Sequence, residues 1–97
     1  HKPVKAIMPV HLYGMPAKMQ EIQRIADTYG VPVIEDAAEA LGSSYKTQKC
    51  GTFGTMAALS FNGNKIITAG GGGCIITDDE KLAQRARHLI TTAKLKL

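Results

Sequence analysis

Two rhythms of apolar and polar positions run along this chain. Residues 4–12 (VKAIMPVHL) form a nearly continuous apolar run, which predicts a buried strand with Pro9 near its end. Tyr13, Gly14 and Met15 make the turn that follows. Met19, Ile22, Ile25, Ala26 and Tyr29 then recur at spacings of three and four, the single apolar face of a helix. Pro16 suits that helix's first turn, and Gly30 with Pro32 ends it. Residues 31–34 are short and continuously apolar, as a strand covered on both faces should be, and they run into Glu35 and Asp36. Strand, helix and strand in so few residues predict a parallel βαβ unit.

The second half carries shorter signals. Residues 37–41 predict a helical turn, and 42–54 (GSSYKTQKCGTFG) a loop with a short hairpin around 46–49. Residues 57–61 predict a third strand and 74–77 a fourth. Between them the run Gly70 to Gly73 marks a tight reversal. The connection is too short for a helical crossover, so the fourth strand is expected antiparallel to the third. Residues 77–80 (TDDE) read as a capping box with Thr77 as N-cap and Glu80 reaching back. Leu82, Ala86, Leu89, Ile90 and Ala93 give the last helix its apolar face, with Arg85, Arg87, His88 and Lys94 towards its carboxyl end. The pattern defines an α/β chain: a mostly parallel sheet with one antiparallel strand after the glycine-rich turn, and helices packed on the sheet.

Composition narrows the function classes. Ninety-seven residues make one small domain at most, and a 44% hydrophobic content excludes a disordered chain. No apolar run approaches a membrane span, and the first residues lack the apolar core of a signal peptide. Cys50 and Cys74 are too widely spaced for a metal-binding pair and too few for a disulfide framework, which fits reduced thiols in a cytoplasmic protein. The formal charge of +4 comes from scattered basic residues without a basic, aromatic-rich stripe, so nucleic acid is not the expected partner. Both ends read as cut, as in an internal piece of a larger protein.

The candidate chemistry lies in residues 60–77 (SFNGNKIITAGGGGCIIT), where Lys65 is the one charged residue. Lys65 and Asp36 are both expected just past carboxyl ends of strands, where open α/β sheets bind ligands. A desolvated amine condenses with a carbonyl, and an aspartate holds a pyridine nitrogen protonated. Those are the two groups that pyridoxal phosphate requires of a protein. Spacing alone leaves other readings open. Lys65 also reads as a solvated loop residue, Asp36 as a cap on 37–41, and Ser60 as a strand-end hydroxyl bonded to backbone. The glycine run lacks the phosphate-cradling pattern GxxxxGK[ST] and precedes a strand, so it reads as structural.

The ordered set PVHLYG, EDAAEA, SFNGNK, GGGG and TDD, spread over nearly the whole chain, resembles the middle of the large domain of the DegT/DnrJ/EryC1/StrS sugar aminotransferases. The resemblance implies a fold-type-I enzyme, with residues 1–97 as part of its cofactor-binding domain and with the amino-terminal part and the small carboxy-terminal domain missing. It implies pyridoxal phosphate as cofactor and Lys65 as Schiff-base anchor and proton shuttle. Asp36 would pair with the ring nitrogen, Ser60 with the phosphate, and Ala38 would admit the ring face. Glu39 stands where many members have glutamine, near the ring oxygen. The implied reaction moves an amino group, with glutamate as donor, to a nucleotide-linked keto-deoxysugar at C4, within a cytoplasmic homodimer that builds sugars for cell-surface glycans. The 97 residues alone would be inactive. His11 and Tyr13 are expected as a packed turn, and Asn62 and Asn64 as turn formers. Two alternatives remain: a sugar dehydratase relative, whose anchoring lysine is replaced by histidine and which Lys65 disfavours, and a non-catalytic α/β module.

Overall fold

A computed structural model describes residues 2–91. Its first helix, α1 (Met19–Tyr29), presents Met19 and Ala26 to the core, where both are fully buried against Val33. Ile7, Ala17, Ile22, Val31, Tyr45 and Phe53 close around them, and Tyr45 and Phe53 meet edge to face at 6.0 Å. Burying one such methionine contributes about 1.5–3 kcal/mol. Gly30 ends the helix in the left-handed region at φ 64°, as its position predicted. Pro16 falls outside the helix, which starts three residues later with Lys18 as N-cap. Ile25 and Tyr29 lie on the predicted apolar face yet are exposed, because the core covers only its inner edge.

Strand β1 (Ile34–Asp36) sits three residues later than its apolar run, so Asp36 is the strand's last residue. It pairs in parallel with β4 (Met56–Ser60), Asp36 lying opposite Ala58. Strand β5 (Gly73–Ile76) pairs antiparallel with β4, and the sheet order is β1-β4-β5. The expected reversal at the glycine run is therefore present. Between β1 and β4 lie the turn at 37–40, closed by the Ala40 N–H on the Ala37 carbonyl, and a hairpin of β2 (Ser44–Tyr45) and β3 (Gln48–Lys49). Lys46 and Thr47 form its two-residue turn, both at positive φ. A second core packs Ala37, Ala40 and Cys50 against Leu59.

The expected buried strand at 4–12 is corrected by the structure. Ile7 bridges Val33 and Val10 bridges Asp36 in parallel, but no continuous strand forms. The backbone shows why. Ile7 N–H donates to Pro32, Ile34 N–H to Ile7, Asp36 N–H to Pro9, and His11 N–H to Asp36. The missing rung is the one Pro9 would donate, and it has no N–H. Val4, Met8, Val10 and Leu12 are exposed.

Helix α2 (Glu80–Thr91) packs on β5 with Leu82, Ala83 and Ala86 half-buried, while Leu89 and Ile90 remain exposed. Ala93 and Lys94 lie outside the described residues. The N-cap is Asp79, whose Oδ1 accepts the Leu82 N–H at 3.0 Å, and Thr77 is not the cap. The Thr77 hydroxyl instead donates to the Thr55 carbonyl and accepts the Asp79 N–H, tying the helix start to the sheet. No helix among the described residues is long and apolar enough to cross a membrane.

Candidate active site

β1 and β4 run parallel, so their carboxyl ends open on the same edge of the sheet. Asp36 closes β1 there, half-buried. Its Oδ1 accepts the Ala38 N–H at 3.2 Å, the capping bond that remained open as an alternative, and this bond shapes the 37–40 turn carrying Ala38 and Glu39. Oδ2 takes no hydrogen bond among the described residues. Ser60 closes β4 two residues beyond the Asp36–Ala58 pairing, about 7 Å further along the strand direction. Its Oγ accepts the Asn62 N–H at 3.4 Å, which leaves the hydroxyl proton free to donate.

Lys65 follows in a loop that folds back on one residue. The Phe61 N–H donates to Gly72, and the Phe61 carbonyl accepts the Ala69 N–H and the Thr68 hydroxyl. The Lys65 N–H closes a tighter turn on Asn62. Lys65 is thereby held, half-buried, on a cavity of ≈ 390 Å³ that it lines with Tyr13, Glu39, Asn64 and Ile66. The structure brings Lys65 and Glu39 together there. Asp36, Ala38 and Ser60 lie at the same sheet edge but outside that lining.

Two residues have other places than expected. His11 is fully buried, as a packed turn requires, but Tyr13 in the same turn is 83% exposed and faces the Lys65 cavity. Glu35, the neighbour of Asp36, is a buried structural carboxylate that sequence reasoning missed. It accepts four hydrogen bonds: His11 Nε2 at 2.9 Å and the backbone N–H groups of Gly51, Phe53 and Gly54 at 2.8, 2.7 and 2.8 Å. The His11 Nδ1 accepts the Ala17 N–H at 3.0 Å, so the ring proton sits on Nε2 and points at Glu35. Nearby Cys50 is a free, buried thiol. Burial, and then the Glu35 carboxylate, push it above the ordinary thiol range. Among the described residues no cluster of His, Cys, Asp or Glu could hold a metal ion.

The chain thus has a mixed α/β sheet with a carboxylate ending β1 and a lysine-bearing loop following β4 on the same edge. Residues 1–95 match the DegT/DnrJ/EryC1/StrS aminotransferase family, and the chain belongs to it. EpsN of Bacillus subtilis, assigned as a pyridoxal phosphate-dependent aminotransferase, is 54% identical over 90 residues, 93% of this chain and 23% of that protein. GDP-perosamine synthase of Caulobacter vibrioides is 53% identical over 88% of this chain and 23% of its own length. The solved structure of PseC from Helicobacter pylori, an aminotransferase involved in the biosynthesis of pseudoaminic acid, superposes with a TM-score of 0.88 at 29% identity, over 96% of this chain and 25% of its own. The chain thus spans about a quarter of the length of its relatives. Its fold is that of the corresponding part of a fold-type-I aminotransferase.

The residues present fit pyridoxal phosphate by their chemistry. The sheet edge offers an amine for an aldehyde, a carboxylate oxygen that has no partner among the described residues for a ring N–H, and a hydroxyl proton for a phosphate oxygen.

Proposed function

We propose that the protein carrying this chain is a pyridoxal phosphate-dependent aminotransferase acting on a nucleotide-linked keto-deoxysugar. Its amino donor is an amino acid, glutamate, and the carbon aminated is C4. The protein works in the cytoplasm as a homodimer, in the supply of sugars for surface glycans. The observation that carries this reading is Lys65, held by a loop clamped on Phe61 at the edge where β1 ends in Asp36. The relatives support the substrate class, since the synthases are named for an amino sugar linked to GDP.

When bound, the cofactor would supply an aldehyde that condenses with amines and a ring that draws electrons from the reacting carbon. Lys65 anchors that aldehyde through Nζ. Its Nζ would also be the base placed to take and return the proton at the reacting carbon. Asp36 would hold the ring nitrogen and keep it protonated. Ser60 donates its hydroxyl proton to the phosphate, and its existing bond to Asn62 orients Oγ for this. Ala38 leaves room beside the ring, and Glu39 brings a carboxylate to the rim.

The test is to load the longest expressible form of the protein with pyridoxal phosphate, reduce with borohydride, and locate the modified lysine by mass spectrometry. A stoichiometric adduct on Lys65, abolished in Lys65→Ala, is the expected result. Adducts spread over the other lysines, or none in a folded protein, would replace this reading with a binding module.

A further inference from the structure

Among the described residues, Tyr13 is set apart from the other aromatic residues by its backbone. It is 83% exposed, and its backbone has φ 53° and ψ 30°, the left-handed region that a bulky side chain rarely adopts. The surroundings fix that conformation from both sides. On one side, His11 is buried, with its backbone N–H on Asp36, its Nδ1 on Ala17 and its Nε2 on Glu35. On the other, the Ser43 hydroxyl donates to the Gly14 carbonyl at 2.8 Å. The Gly14 and Met15 N–H groups close the turn on His11 and Leu12. A strained residue held this firmly, with its side chain on a cavity, points to a role for the side chain.

Resting on the aminotransferase reading, we infer that Tyr13 is a substrate-contacting residue whose ring is the platform for the sugar of the nucleotide-sugar substrate. The cavity's lining offers a sugar several contacts. It holds one cation, Lys65, one carboxylate, Glu39, the Asn64 amide and the Ile66 side chain. An uncharged pyranose ring suits the same surface. Its C–H edges pack on the electron-rich face of the phenol, and its hydroxyls reach the amide and the carboxylate. The ring needs no reorganisation to receive it, because the turn already holds it out.

The experiment uses the cofactor-loaded full-length protein and three variants, Tyr13→Phe, Tyr13→Ala and Tyr13→Gly, with GDP-perosamine as probe and GDP alone as control. Tyr13→Phe is expected to bind GDP-perosamine within about threefold of the wild type. Tyr13→Ala should bind it about tenfold or more weakly, with binding of GDP unchanged. In turnover, the KM for the ketosugar rises by a similar factor while the KM for the amino donor stays constant. Tyr13→Gly separates contact from strain. It suits the positive φ, so it should melt no lower than the wild type, yet bind the probe as weakly as Tyr13→Ala. Equal sugar affinity in Tyr13→Ala, or a change confined to the donor's KM, overturns the inference. The borohydride adduct on Lys65 is scored in the same samples. Its loss in the wild type would fail the aminotransferase reading, whereas its presence beside unaltered sugar binding in Tyr13→Ala would fail the Tyr13 assignment alone.

Discussion

Glu35 and Asp36 are neighbours with opposite fates, and the pleat of β1 separates them. Successive side chains of a strand point to opposite faces, so Glu35 turns into the protein and Asp36 does not. Inside, Glu35 commits both oxygens to four donors, which is the full capacity of an ionised carboxylate. Glu35→Ala would leave three backbone N–H groups and the His11 ring without partners. The expected loss is about 3–5 kcal/mol, a large part of a small domain's total stability. Glu35→Gln keeps one acceptor and turns an NH₂ group towards donors, so about 1–3 kcal/mol should go. Denaturant unfolding checks both, and an alanine variant within 1 kcal/mol of the wild type would contradict the four-bond account.

At the scale of elements, the connection from β4 to β5 decides where Lys65 sits. The two strands approach so closely at their ends that a Cβ on Gly73 would lie 2.6 Å from the Leu59 carbonyl oxygen. Gly73→Ala should cost about 1–3 kcal/mol by pushing the strands apart. Gly71→Ala is the control, since nothing lies within 4 Å of its added carbon and its φ is not positive. Melting temperatures should fall for the first and hold for the second, and equal falls would place the strain elsewhere in the run. Much of this element order was legible in the sequence. Helix α1 announced itself by its three-and-four spacing, β5 by a connection too short for a crossover, and the 44–49 hairpin by its polar turn. The strand expected at 4–12 was not regular because one proline withholds one donor. The cap moved from Thr77 to Asp79 because Thr77 is engaged by the Thr55 carbonyl, a contact made only after the sheet forms. Glu35 went unread for a related reason. Its partners are mostly backbone amides 16 to 19 residues away, and amides carry no side-chain signature. Tyr13 was read as packed because a tyrosine in the left-handed region cannot be anticipated from residue type.

Across the whole molecule, long-range bonds gather on a few points instead of spreading evenly. The 61–72 loop closes on Phe61, the α2 start hangs from Thr77, and two distant segments converge on Glu35. The last of these makes the chain divisible. A break between Lys46 and Thr47, at the exposed tip of the hairpin, leaves Glu35 and His11 in one piece and the amides of Gly51, Phe53 and Gly54 in the other. Fused to the halves of a split reporter, the two pieces should find each other and restore its signal, and Glu35→Ala should return the signal to that of an unrelated pair. Equal recovery with the alanine would mean that pairing of β1 with β4 suffices by itself. Loss of signal in Glu35→Ala, the expected result, makes a single buried carboxylate the clasp between two independently made halves, so that the protein could be assembled, or kept apart, by controlling that one residue.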